Sequence, residues 1–115
     1  MISLNTNSVF LFGKDDRIAD VLLMNPTCSS QHAVIQFREV GIEKRDGTYT
    51  TAVRPYLMDL ESTNGTLLNG VKVEGKRYYE LLEKDVVVFG LSQRQYVVMK
   101  DANTVYTREM FSRGE

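Results

Sequence analysis

The chain holds one cysteine, one histidine, two prolines and no tryptophan in 115 residues. Each scarcity closes off a class of function. A lone Cys28 forbids a disulfide within the chain and favours an intracellular address. One histidine and one cysteine cannot supply the ligand spacings of the common zinc sites, so no metal is expected. The apolar runs fall far short of the roughly 20 residues that span a bilayer, and no signal peptide opens the chain, so no membrane contact is expected. Without that signal, the Asn64-Gly65-Thr66 glycosylation sequon reads as accidental. Charge of one sign is also lacking. Fourteen Lys and Arg stand against 15 Asp and Glu, for a net charge of −1. That balance argues against a broad basic face and direct nucleic-acid binding, while leaving room for a small basic patch. Repeats, linkers and low-complexity segments are absent, and the length suits a single core.

What the sequence does have is short strands and tight turns. Hydrophobic residues make up 43% and charged residues 25%, the composition of an ordinary globular domain. Strand patterns are read at Val9–Phe12, Ile18–Leu23, His32–Val40, Thr51–Leu60, Leu67-Leu68, Val71–Val73, Tyr78–Leu82, Val86–Phe89 and Gln95–Met99. Asp46-Gly47 and Asn69-Gly70 are turn signals between them. Pro55 within a strand implies an edge, a bulge or a break. Adjacent Tyr78 and Tyr79 must point to opposite faces, one of them toward the core. The expected class is all-β, a sandwich over residues 8–99 followed by a polar tail, 100–115, that is either a short helix or disordered.

An enzyme reading finds little support. Cys28 and His32 lie four residues apart, but no third group is evident, and a buried thiol beside a structural histidine is the better account. Gly13-Lys14 lacks the remaining residues of a phosphate-binding P-loop. The carboxylates of Asp15-Asp16 and of Glu83 and Asp85 fall in polar turns. No enzyme and no cofactor are expected.

Three segments gain meaning when taken together. Gly13-Lys14 ends the first strand with a cation. Ser29 and Ser30 offer hydroxyls just before a strand. Ser62-Thr63-Asn64-Gly65-Thr66 offers hydroxyls, an amide and backbone N–H groups in a tight loop. If a sandwich brings these loops to one end, they form a small donor pocket around one positive charge. That pocket suits a phosphate monoester, with its charge of about −1.5 to −2 and three acceptor oxygens. Singly, each residue has a plainer reading: a turn lysine, serines closing local turns, an asparagine holding its own loop.

The order Gly13-Lys14, Ser29-Ser30-Gln31-His32-Ala33, Asp59-Leu60, Ser62-Thr63-Asn64-Gly65-Thr66, Asn69-Gly70 and Asp85 to Gly90 resembles the forkhead-associated (FHA) domain. Finer runs, Arg17 to Asp20, Cys28 to Val34, Arg77 to Leu81 and Glu83 to Val86, resemble the Smad nuclear-interacting protein and DAWDLE branch of splicing factors. The resemblance implies an FHA-type β-sandwich of about eleven strands that reads phosphothreonine peptides. It places Lys14, Ser29, Ser30, Thr63 and Asn64 at the phosphopeptide, with Arg17 either a helper or a solvated surface residue. It gives Gly13, His32, Gly65, Asn69 and Gly70 structural roles. Two positions depart from the family pattern, Lys14 where arginine is usual and Ser30 where a basic residue is frequent, and both make the pocket less cationic.

The implied partners are a phosphothreonine-containing protein and subunits of the pre-mRNA retention and splicing complex, in the nucleus. A phosphate-independent scaffold domain within the same complex is the alternative, and an RNA-associated domain a weaker third. The family also has a strand before Val9, which residues 1–7 are too short and polar to supply; a missing first strand would leave a sheet edge open.

Overall fold

Alternation of buried with more exposed positions in stretches such as 33–37, 55–59 and 86–89 decides how this chain folds, because each such stretch has one face to hide. The computed structural model describes residues 9–101 and 104–111. Among them the backbone forms ten strands: β1 (Val9–Gly13), β2 (Val21–Leu22), β3 (Ala33–Glu43), β4 (Tyr49–Asp59), β5 (Thr66–Leu68), β6 (Val71–Lys72), β7 (Tyr78–Glu80), β8 (Val86–Phe89), β9 (Arg94–Asp101) and β10 (Thr104–Phe111). They make two five-stranded sheets, β2-β1-β3-β4-β7 and β10-β9-β8-β5-β6. Among the described strands only β1 and β2 pair in parallel, and a single parallel bridge joins Asp59 to Gly75. The expected missing first strand concerns residues outside the described ones.

The inner faces meet in an aromatic core. Phe12, Ile35, Phe37 and Leu57 come from the first sheet, and Val87, Phe89 and Val98 from the second, all at most 2% exposed. Phe12 stacks on Phe89 with ring centroids 5.0 Å apart. Tyr96 meets both rings edge-on. The stack lies at the end of β1 and β8, directly beneath the loops that follow them, so the best-packed part of the core is also the floor of the loop end.

Most strand positions follow the sequence reading, and the departures have physical causes. The second strand shrinks to Val21–Leu22, because the Asp15 carbonyl accepts the Ile18 and Ala19 N–H groups and curls that stretch into a turn. The third and fourth strands run on to an eleven-residue hairpin pair closed by Gly47 at a φ of 87°. There residues 41–43 and 49–51 continue the ladder around a turn at 44–48, in a largely exposed segment. Pro55 lies inside β4, whose ladder with β7 ends at Tyr56. Its carbonyl accepts the Leu81 N–H just past β7, so the proline nitrogen faces the same side, and with no N–H to return to Leu81 it ends the ladder there. Tyr78 points outward and Tyr79 inward, as adjacency requires.

Of the segment 100–115, read as a helical or disordered tail, residues 100–101 and 104–111 are strand instead, and the rest lies outside the described residues. β10 pairs antiparallel with β9 from Thr104↔Asp101 to Phe111↔Arg94. Thr104, Val105, Tyr106, Thr107 and Phe111 are strand formers, and a neighbouring strand to pair with outweighs the overall polarity of the segment.

Phe89→Ala should destabilise the domain by about 3–5 kcal/mol, whereas Tyr49→Ala, 73% exposed at the hairpin end, should stay within about 0.5 kcal/mol. Urea unfolding of the two variants checks the contrast.

Candidate functional site

Three loops meet at the end of the sandwich above the aromatic stack. They are the turn after β1, the β2–β3 connection, and the β4–β5 connection that crosses from one sheet to the other. Backbone hydrogen bonds join the first two: Lys14 N–H to the Ser29 carbonyl, Asp15 N–H to the Ser30 carbonyl and His32 N–H to the Phe12 carbonyl. The approach is so close that a Cβ on Gly13 would lie 2.0 Å from the Ser30 carbonyl oxygen. Only glycine fits there.

His32 joins the second loop to the third. Its ring is fully buried and edge-on to Phe89. Nδ1 accepts the Ser29 N–H at 3.0 Å, so Nε2 carries the proton and donates to the Gly65 carbonyl at 2.9 Å. Burial pulls the imidazole below its ordinary value of 6.5, against the opposing pulls of the Gly65 carbonyl and the Asp59 carboxylate. The ring is therefore neutral.

Asp59, at the end of β4, organises the third loop. It accepts the Ser62 N–H and hydroxyl and the buried Thr66 hydroxyl. Burial raises its pKa, but the bonds from Ser62 and Thr66 and the nearby His32 outweigh that and leave it below 3.8. Gly65 adopts a φ of 80°. The Lys72 stem lies against it, with Cε 2.8 Å from where a Cβ would sit, so a second lysine borders this loop.

Ser29 is the hinge of the exposed surface. Its Oγ accepts the Thr63 N–H at 3.0 Å, which leaves the hydroxyl proton free to turn outward. Asn64 Nδ2 donates to the Thr27 carbonyl at 2.8 Å, and Thr27 Oγ1 in turn accepts the Leu91 N–H. Lys14, Ser30, Thr63 and Asn64 are all exposed here. Among the described residues the hydroxyls of Ser30 and Thr63 engage no hydrogen-bond partner. Lys14 Nζ rests 3.3 Å from the Pro26 carbonyl. Arg17 lies on the turn after β1 but is held by Asp15 through Nε at 3.0 Å and Nη2 at 2.9 Å.

Lys14, Ser29, Ser30, Thr63 and Asn64 thus converge. Asn69 and Gly70 do not join them. They form the β5–β6 turn, with φ of 52° and 83°, and Asn69 fastens it to β8 through the Val86 N–H and Asp85. Beside Thr27 a cleft of about 210 Å³ opens, with Cys28, Phe89 and Tyr96 on its floor and Met24, Ser92 and Arg94 among its lining. Sequence reasoning gave no role to Asp59 or Lys72. The Asp-x-x-Ser spacing of a side-chain-closed turn was the one available signal for Asp59; nothing marked Lys72.

The fold defines a β-sandwich of the interaction-module class, whose loop end exposes backbone, small hydroxyls and one or two lysines. The chain belongs to the FHA domain family, whose model matches residues 10–90. It is 50% identical over 100 residues to the FHA domain-containing protein DDL of Arabidopsis thaliana, covering 87% of this chain and 32% of that one. Smad nuclear-interacting protein 1 of Mus musculus is 47% identical over 100 residues, with 87% and 26% covered. The finer likeness to that branch therefore holds, and the chain spans about a third or less of those relatives' lengths. Among solved structures, the yeast Pml1 splicing factor, described together with its integration into the RES complex, superposes with a TM-score of 0.62 at 31% identity, covering 95% and 67% of the two chains. The MEK1 FHA domain in complex with a HOP1 phosphothreonine peptide superposes at 0.59 and 28% identity, covering 76% and 78%.

Acid should unfold the domain in two steps of the same sign. The folded His32 binds its proton less readily than the unfolded one, so stability falls once pH drops below 6.5, by at most about 1.4 kcal/mol per pH unit. Asp59 contributes stability above 3.8 that is lost as pH falls through its lower folded value. Denaturant titrations from about pH 8 to 5 read the first step; unchanged stability across that range would contradict a neutral buried imidazole.

Proposed function

We propose that this chain is the phosphothreonine-peptide reader of a nuclear pre-mRNA splicing or retention factor. The observation that carries the reading is Ser29. Its oxygen is occupied by the Thr63 N–H, so its proton is the group left to bond a phosphate oxygen. Lys14 follows on the adjoining loop, bonded through its backbone to Ser29. Ser30 and Thr63 add hydroxyls, and Asn64 holds the loop that would carry the peptide backbone. These are donors in the number and polarity that a phosphate dianion accepts. Partners in this reading are a phosphothreonine-containing protein and subunits of the splicing complex, and residues 8–99 are the reading unit. A peptide side chain beyond the phosphate would be read near Thr27 and residues 67–69.

A phosphate-independent scaffold is the second reading, and one feature favours it. The cations of the loop end have internal partners: Lys14 on Pro26, Arg17 on Asp15. Arg17 sits 84% exposed, where such a pair contributes little, so its release toward a dianion meets a small barrier. Binding of moderate strength follows, weaker than an arginine in place of Lys14 would give.

A degenerate phosphothreonine peptide library, set against its unphosphorylated twin, tests the reading. Phosphate-dependent binding is expected, reduced about tenfold or more by Ser29→Ala and strengthened by Lys14→Arg. Phosphoserine should bind about fourfold more weakly, the effect of one methyl. Equal binding of both libraries, or none, would leave the scaffold.

A further inference from the structure

The solvent face of the β1-β3-β4-β7 sheet departs from the polar exterior that an antiparallel sandwich ordinarily shows. Cross-strand register lines up Leu11, Val34, Met58 and Tyr78 in one row across all four strands. The next row is Val9, Gln36, Tyr56 and Glu80. Tyr56 and Tyr78 meet edge-on at 6.4 Å, and the Tyr78 hydroxyl is fixed to Gln36 at 2.6 Å. Both rings are therefore held in place.

Beyond these rows, Arg38 and Arg54 stand directly opposite one another. Like charges in that position destabilise a sheet. Neither guanidinium makes an ion pair among the described residues. Arg38 instead lies over the tyrosines, 6.0 Å from the Tyr56 ring and 5.8 Å from that of Tyr78. Glu80 is the one carboxylate in these rows, and it does not reach either arginine. A fixed aromatic pair, an apolar row and two arginines without counter-charge have the composition of an interface centre.

We infer that this face docks a partner protein segment that presents aliphatic side chains beside carboxylates, independently of the phosphate-binding loops. The aliphatic residues would cover Val34 and Met58, and a carboxylate would neutralise Arg38 and Arg54. Charge complementarity selects this occupant. A nucleic acid would gain little from the Leu11, Val34 and Met58 row and would approach a chain of net charge −1. A second copy would bring two more arginines to a face that already has two too many.

The test uses the isotope-labelled protein and two synthetic peptides, one alternating leucine with glutamate and the other leucine with lysine. The glutamate peptide should shift amide resonances of β3, β4 and β7 and leave those of residues 62–66 unmoved. The Arg38→Glu, Arg54→Glu double variant should bind it about tenfold more weakly and gain affinity for the lysine peptide. A dispersed spectrum of the variant verifies that it folds, and this reversal distinguishes charge recognition from general stickiness. Equal binding of both peptides, shifts confined to other surfaces, concentration-dependent self-association through this face in sedimentation, or preferential binding of oligouridylate there would each overturn the proposal.

Discussion

The His32 ring accepts a hydrogen bond from the Ser29 N–H on one side and donates one to the Gly65 carbonyl on the other, so a single neutral side chain closes the gap between the two sheets. Ser29 lies on the connection leading into β3 of the first sheet, and Gly65 directly precedes β5 of the second. The Gly65 carbonyl also accepts the Gly90 N–H, which brings in the loop after β8. Three loops thus hang on one imidazole and one carbonyl. Because the imidazole packs edge-on against Phe89 of the Phe12–Phe89 stack, loop geometry and core packing form one cooperative unit. Loss of the ring would leave the part-buried Ser29 N–H without its partner, which costs about 1–3 kcal/mol, and would leave the Gly65 carbonyl with the Gly90 N–H alone.

Asp59 does for the interior of one loop what His32 does between loops. A carboxylate with three donors from Ser62 and Thr66 fixes the backbone on either side of Thr63 and Asn64. Those two residues can therefore be exposed and still be held in position. The same division runs through the whole loop end: buried groups set the shape, and exposed groups face outward with hydrogen-bonding capacity to spare.

The sequence revealed the frame through its periodicity. Val86–Phe89 emerged with its bounds unchanged, and the glycines at 13, 65 and 70 marked backbone that only glycine accommodates easily. What stayed hidden was whatever depends on which segments come together. Asp59 looks like any polar residue at a strand end until Ser62 and Thr66 fold around it. Lys72 lies six residues after Thr66 and reaches Gly65 only because the β5–β6 turn folds the chain back. The polar segment after residue 100 read as a tail because strand formation there depends on β9 as a neighbour, and local composition carries no record of that neighbour. The outer sheet face was equally illegible, since Arg38 and Arg54 become like charges facing one another only through the hairpin register.

Separating shape from outward chemistry has an evolutionary side. Ser30 and Thr63 present side chains that touch neither the aromatic stack nor the bonds through His32 and Asp59. Mutation can sample new residues at these positions without eroding the stability margin of the domain. In the proposed reading, ligand preference is thus free to drift between lineages while the scaffold stays fixed, and the rim of this sandwich is the natural place to graft a new specificity.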